Sequence, residues 1–538
     1  MASIAPPSSL PLAALRHAGR ELALPLDIIL PDGRVLQLES LLRVLPGKRY
    51  VGRASFAGEH VLAKLLVGKK AVKRFAAEKK GALLLAEQSL PTPRLLDSGL
   101  SAKEGWLLFQ YLPETKTLAE MLTGLADGDC LPPPLTGGSA HGNYEDENCL
   151  PSPLSGEGGA KRRERGLGAK RQDREKEADL PLSITLLHAA TAIAQLHRQG
   201  LWQQDLHPGN LLYDDEQVFW IDGDGIRAEQ PGRPLSPQQA RDNFAMFLAQ
   251  LPLCHVVPEN ALTALFAAYH TANPESTQGW LPSKLSKAVA RQRAERLRDW
   301  LGKIKRNCSS FIRRQKGWRG AFGLTMVRRE EAETLKPLLN NPDAFIERGE
   351  IYKDKGAATV AKVNLNGRQL VIKRCNIKSF SHRLWRCWRE SRAWVSWREA
   401  NRMLALGMET AKPLAVIEER HFWLRGRAWL IMEHVEGANA LTHLKSPAQQ
   451  QEIEAMRTLL AELKAAGLSH GDMKGTNLIW RAEVGRWALL DLDAMRAHRC
   501  PICQKRAQER DLARLLRNWP EDGLRQTLAR EWGYSISQ

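Results

Sequence analysis

At 538 residues the chain exceeds what one hydrophobic core serves, so two or more domains are expected. With 43% hydrophobic and 26% charged residues, its composition is that of a soluble globular protein and excludes collagen-like and wholly disordered classes. The formal charge of +18, from 78 Lys and Arg against 60 Asp and Glu, points to an anionic partner. Membrane, lipopolysaccharide phosphate and nucleic acid all satisfy that charge.

The opening "MASIAPPSSLPLAALRHAGRELALPLDI" lacks a basic segment leading into a long apolar run, so it does not read as a signal peptide. Nowhere do 18 apolar residues run together, and no membrane-spanning helix is expected. Eight cysteines in so long a chain make no disulfide framework; reduced thiols are expected. The one CxxC, Cys500 and Cys503 in "HRCPICQKR", lacks a second pair that would complete a tetrahedral zinc site.

In chain order, an alternating apolar run "HVLAKLL" delivers Lys64, and a helix-like stretch follows. A Pro-containing turn ("LPTPRLL") and a strand-like run ("GWLLFQYL") come next. Residues 124–178 are rich in Gly, Pro and charge without apolar periodicity, which predicts a disordered insertion. An amphipathic helix "LLHAATAIAQLHRQG" then enters "LWQQDLHPGNLLY" and "VFWIDGDGI".

Residues 284–320 hold thirteen Lys and Arg against two acids, with Leu, Ile, Phe and Trp interspersed. They read as a basic helical connector, either solvated or lying against anionic headgroups. The same plan then recurs. "QLVIKRC" delivers Lys373, "METAKPLAV" makes the turn, "AWLIMEHV" the strand and "IEAMRTLLAELKAAG" the helix. "LSHGDMKGTNLIW" and "ALLDLDAM" close the repeat. A basic stretch at 374–399 carries Trp385, Trp388, Trp394 and Trp397, for which core and interfacial roles are both open.

The repeat predicts an α+β chain with a first domain at 1–275, a connector at 276–340 and a second domain at 341–538. Lys64 to Asp205 spans 141 residues and Lys373 to Asp472 only 99; the insertion accounts for most of the difference.

Phosphoryl transfer from a nucleotide requires charge held in place more than covalent chemistry. A lysine neutralises phosphates, an aspartate orients or deprotonates the attacking hydroxyl, and an amide with a second aspartate holds Mg²⁺, which prefers oxygen ligands. Both halves supply that set in order. Asp205 and Asn210 are five apart, with Asp222 twelve further; Asp472 and Asn477 are five apart, with Asp491 fourteen further. Lys64 and Lys373 are the matching phosphate-binding lysines.

The chain is identified as resembling the protein-kinase-like superfamily, specifically the Kdo/WaaP-type lipopolysaccharide kinases. The carriers are the lysine strands, "SWREANRMLALGMETAKPLA", "HGDMKGTNL", "LLDLDAM" and "ERDLARLLRNW", with their first-half counterparts. The resemblance implies two tandem bilobal protein-kinase-like domains, with ATP and Mg²⁺ as cofactors. It also implies phosphorylation of an inner-core sugar of nascent lipopolysaccharide, typically heptose, at the cytoplasmic face of the inner membrane. Carried over residue by residue, it makes Asp205 and Asp472 catalytic bases, and Asn210, Asp222, Asn477 and Asp491 metal ligands.

The same resemblance places Lys474 at the transferring phosphate, and Asp242 and Asp511 as acids that steady the catalytic loops. Glu78 and Glu399 are the choices for the helix glutamate that pairs with the lysine. Gln203 stands where the second half has His470, and His207 follows Asp205 in an arrangement closer to aminoglycoside and choline kinases. No full G-x-G-x-x-G is present; Gly47 and Gly52, or Gly356, are the candidates. The expected association with the membrane is peripheral, and no nucleic-acid partner is expected, since no reading module accompanies the charge. A protein kinase lacks support because no A-P-E-like segment follows Asp222 or Asp491; a catalytically dead basic scaffold is the alternative of a different class.

Overall fold

The computed structural model describes residues 9–20, 22–123, 179–214, 217–253, 261–318, 321–354, 356, 358–376, 390–421, 424–519 and 522–533. The expected insertion at 124–178 lies outside the described residues, as do Trp385 and Trp388. The described chain divides into two compact units: the first runs to Gln250 and resumes through Arg293, and the second takes 251–253 and everything from Ala294 onward. Each is a mixture of sheet and helix.

The first unit is built on a seven-stranded sheet whose order is Ser9–Pro11, Leu26–Ile29, Val35–Leu45, Arg49–Phe56, Glu59–Val67, Glu104–Gln110 and Leu95–Leu100. Only the first pair is parallel. Alternation in "HVLAKLLV" sends Val61, Ala63, Leu65 and Val67 into one core with Ile28, Leu36, Leu38 and Tyr50. The opposite face of that strand sends Leu66 against Phe75 and Ala82 of the helix Ala71–Glu87. Lys64 is on the helix face, mid-strand, between Val51 and Leu107 of its neighbours.

A buried helix ending at Arg198 leads into short strands Leu201–Gln203, Leu211–Tyr213 and Val218–Trp220. The loop bearing Asp205 and Asn210 joins the first two of these.

The second unit repeats the scheme with a differently ordered sheet: Phe311–Trp318, Ala321–Arg328, Pro413–His421, Leu424–Glu433, Arg368–Cys375, Ala358–Leu365 and Glu350–Lys353. Every neighbouring pair is antiparallel. Lys373 sits mid-strand, between Val360 and Leu430. The helix Arg392–Ala405 covers one face with Trp394, Trp397, Ala400 and Met403. Trp394 and Trp397 are therefore core residues, packed with Trp300, Phe311 and Met326.

Helices Gln450–Ala465, Pro501–Leu516 and Asp522–Glu531 form a second core around Leu459, Trp487, Leu515 and Trp532.

The stretch expected to be a helical connector at 276–340 is only partly helical. Pro282–Lys303 is a helix, and the division between the units falls within it. Phe311–Trp318 and Ala321–Arg328 are instead two strands of the second sheet. The physical reason is alternation that the charge density hid. Phe311, Leu324 and Met326 enter the core, while Arg313 and Gln315 point outward.

Candidate active site

In the first unit the buried Lys64 ammonium pairs with Glu78, which arrives from the second turn of the following helix. Glu78 also accepts the N–H of Gly223 at 3.1 Å and of Asp224 at 3.3 Å. One carboxylate thus ties strand, helix and the turn after Asp222 together. That approach needs glycine on both sides: a Cβ on Gly81 would lie 1.8 Å from the Gly223 carbonyl oxygen.

Asp222 lies 3.8 Å from Lys64 and 3.7 Å from Arg49, and Asp224 lies 3.8 Å from the same Arg49 group. Burial opposes the charge on Asp222, but Lys64, Arg49 and Arg43 outweigh it and hold the carboxyl low. Burial, with Asp222 and Glu78 alongside, pushes Asp224 up to about 7.

The loop is pinned from within. Asn210 Nδ2 donates to the Asp205 carbonyl at 2.9 Å, and the Ile221 N–H donates to the Asn210 carbonyl at 3.1 Å. Among the described residues the Asp205 carboxylate has no hydrogen-bond or ion-pair partner. His207 accepts the Gly209 N–H and caps the turn.

The second unit builds a matching arrangement with different details. Lys373 pairs with Asp491 and, at 2.7 Å, with Asp493. Burial opposes its charge, and the two carboxylates raise its pKa regardless. Asn477 Nδ2 donates to the Asp472 carbonyl at 3.0 Å, and the Leu490 N–H donates to the Asn477 carbonyl at 2.8 Å. This short chain of bonds joins Asp472, Asn477, Asp491 and Lys373 into one site.

The Asp472 carboxylate is flanked by Lys474 at 2.7 Å and Arg514 at 3.1 Å. Gly471 adopts φ +81°, and a Cβ there would meet the Ala494 carbonyl oxygen at 2.7 Å. A pocket of about 500 Å³ opens beside this loop, lined by Arg398, Arg496, His498, Arg510 and Arg514 among others.

Two features recur across the units without identical residues. Asp222 and Asp491 both take a left-handed backbone, φ 67° and 59°, at the entry to a short 3₁₀ turn. Such strain in a non-glycine residue is costly and concentrates at functional sites. Gln203 Nε2 donates to the Ile221 carbonyl at 3.1 Å, as His470 Nε2 does to the Leu490 carbonyl at 2.9 Å. The Gln-for-His exchange therefore keeps the hydrogen bond that sets the late strand against the loop.

Two expectations need correction. Glu399 does not reach Lys373: it is bonded to Arg398 at 2.7 Å and Arg402 at 2.6 Å, both neighbours on its own helix. Asp493, also bonded to Arg392 at 2.6 Å, takes the lysine's second position. Asp242 does not touch its loop: it pairs with Arg241 and Arg291. The next residue does. Asn243 Nδ2 donates to the Gln203 carbonyl at 2.8 Å.

In the second unit the buried Asp511 accepts from the N–H groups of His470 at 2.6 Å and Gly471 at 2.9 Å. Helix and loop thus meet through hydrogen bonds of opposite polarity in the two units. Sequence reasoning also missed Asp224, Asp493, Arg49 and Arg514. The first two carried a signal, since an acid stands two residues after the late aspartate in both halves. Of the candidate loop glycines, Gly52 is packed mid-strand against Ser40 and Leu38, whereas Gly47 (φ +68°) and Gly356 (φ +93°) lie in the turns before strands Arg49–Phe56 and Ala358–Leu365.

The donor sets suit a hard cation. Asn and Asp offer oxygen to a metal, and the Asn210 and Asn477 amide nitrogens are spent on backbone carbonyls, so their side-chain oxygens are the donors left for an ion. In the first unit, oxygens of Glu78, Asp222 and Asp224 lie within 4.8 Å of one another.

A buried lysine paired with carboxylates, beside a loop aspartate and amide, defines a site of the nucleotide-dependent phosphotransferase class. Residues 346–532 match the family model described as the lipopolysaccharide kinase (Kdo/WaaP) family, whose members are phosphotransferases that use ATP. The matched segment holds Lys373, Asp472, Asn477 and Asp491. A solved structure described as "WaaP in complex with acyl carrier protein" is similar at 18% identity and a TM-score of 0.25, over 37% of this chain and 86% of that one. No curated protein matches the chain.

Proposed function

We propose that the chain is an ATP- and Mg²⁺-dependent kinase of the lipopolysaccharide inner core, acting on a sugar hydroxyl, heptose being the expected acceptor. Its two units are read as tandem bilobal kinase-like domains working at the cytoplasmic face of the inner membrane. The observation that carries this reading is the joined set of Lys373, Asp472, Asn477 and Asp491 inside the segment that matches the family.

In this reading Lys373 neutralises nucleotide phosphates, and Lys64 does so in the first unit. Asp472 and Asp205 orient the acceptor hydroxyl and take its proton. Lys474, 2.7 Å from Asp472, stands where charge develops on the transferred group. Asn477 with Asp491, and Asn210 with Asp222, would hold the Mg²⁺, whose chemistry is to neutralise charge on the phosphate oxygens.

The pocket beside Asp472 favours an anionic acceptor. Arg496 and Arg510 line it with no ion-pair partner among the described residues, and Arg514 links it to Asp472. No helix among the described residues is long and apolar enough to cross a membrane. In this reading the basic helix Pro282–Lys303 is the element that meets anionic headgroups.

The test is core-oligosaccharide phosphate, measured by mass spectrometry in a deletion strain complemented with wild type, Asp205→Asn or Asp472→Asn. Loss of phosphate with Asp472→Asn supports the reading. Full phosphate with both variants, when deletion removes it, refutes the catalytic assignment.

A further inference from the structure

The site leaves one chemistry-bearing motif unused. In "HRCPICQKR" the two cysteines bracket the start of the helix Pro501–Leu516: Cys500 is the capping residue, Pro501 fills the first helical position, and Cys503 lies in the first turn. Proline suits that position, having no N–H to leave unsatisfied and a backbone already set for the helix. The cap is the sulfur itself, for Cys500 Sγ accepts the Cys503 N–H at 3.5 Å. The first sulfur is thereby folded over the residue that carries the second. Both thiols are exposed, whereas Cys375 is buried in the sheet core and Cys308 is half-buried.

The surroundings make the two sulfurs unequal. The exposed N–H groups of a helix start, with Arg499, Lys505 and Arg506 near in sequence, favour negative charge on the capping sulfur. Hydrogen bonding from the Cys503 N–H and then its side chain holds the Cys500 thiol below its ordinary range, while Cys503 is raised beside it. That asymmetry is what a dithiol needs to act in sequence, one sulfur attacking and the other resolving. A metal clip is less well served: with His498 Nε2 engaged by Ser469 Oγ at 2.7 Å, the two thiols and at most His498 Nδ1 make three ligands, short of a closed tetrahedral site.

We propose that Cys500 and Cys503 form a redox-active dithiol, with Cys500 the attacking thiol and a glutathione-class disulfide as oxidant. The Cys500 thiolate displaces one thiolate from the disulfide and forms a mixed disulfide. The Cys503 thiolate then attacks Cys500 Sγ and displaces the second thiolate. Two electrons pass from the protein thiols to the small disulfide, and two small thiols leave with the two protons. The helix closed in this way is the one whose Asp511 holds the catalytic loop.

The test treats the reduced, folded full-length chain with glutathione disulfide and maps the products by peptide mass spectrometry. Wild type is expected to lose two hydrogens on the peptide spanning Cys500 and Cys503, and dithiothreitol restores them. Cys503→Ser is expected to stop at a glutathione adduct on Cys500. Cys500→Ser is expected to be modified at Cys503 roughly tenfold more slowly, as its less ionised thiol requires. Circular dichroism of each variant confirms that the fold is retained. Two independent adducts in wild type, equal rates in the two variants, or one tightly held zinc per chain that Cys500→Ser releases would each overturn the proposal.

Discussion

Asp511→Asn examines how the second unit holds the loop that carries Asp472. The Asp511 side chain is buried and accepts from two consecutive N–H groups, those of His470 and Gly471. The substitution keeps the volume, removes the charge and turns one acceptor into a donor that faces an N–H. The Gly471 N–H then faces a donor where it had its 2.9 Å acceptor and keeps at most the 3.1 Å contact to the other position, at about 1–3 kcal/mol, and the remaining bonds lose their charge assistance. The sum is about 2–4 kcal/mol against the stability of this unit. Because Gly471 precedes Asp472, the released loop should also lower turnover by roughly tenfold or more, a displacement effect on positioning. Urea unfolding followed by tryptophan fluorescence, with phosphotransfer measured on the same samples, tests both. A change in unfolding free energy below about 0.5 kcal/mol with unchanged turnover would refute the reasoning.

Asn243→Asp in the first unit should also destabilise, by about 1–3 kcal/mol, because a carboxylate would face the Gln203 carbonyl; thermal unfolding reads this, and an unchanged midpoint would contradict the opposite polarity of the two loop contacts. Lys373→Met should lower phosphotransfer roughly hundredfold, whereas Glu399→Gln, whose carboxylate pairs with Arg398 and Arg402 instead of that lysine, should leave it within about threefold; comparable losses in steady-state assays would restore Glu399 as the lysine's partner. His197 is fully buried, and burial depresses its pKa from 6.5 to about 4. The unfolded chain binds the proton first, so this contribution is complete above pH 6.5 and is lost as pH falls towards 4. The shift amounts to about 3 kcal/mol, and His197→Gln should flatten the acid limb of the stability–pH curve.

Much of this was legible because local chemistry is written twice. The alternation around Lys64 and Lys373, the five-residue step from aspartate to asparagine, and the apolar run before Asp222 and Asp491 are local patterns. In each case the chain's own geometry carries the residues to one place. What stayed illegible depends on three-dimensional competition. Both Glu78 and Glu399 lie on the helix after the lysine strand, but Glu399 has Arg398 and Arg402 one and three positions away and is captured by them.

The Asp242 and Asn243 exchange turns on a rotation of one residue about a helix, which spacing alone does not resolve. The basic segment before the second unit misled for another reason. Arginines dominate its composition, but a strand needs only alternate residues apolar, and Phe311, Leu324 and Met326 suffice.

In the proposed reaction Asp472 serves transfer of phosphate from ATP to a core sugar. The most direct measurement incubates the purified full-length chain with Mg²⁺, radiolabelled ATP and isolated core oligosaccharide, and compares wild type with Asp472→Asn. Label on the oligosaccharide that falls at least a hundredfold, roughly, in the variant and vanishes when Mg²⁺ is chelated is the predicted result. Label confined to protein, or oligosaccharide label indifferent to Asp472→Asn, would contradict it.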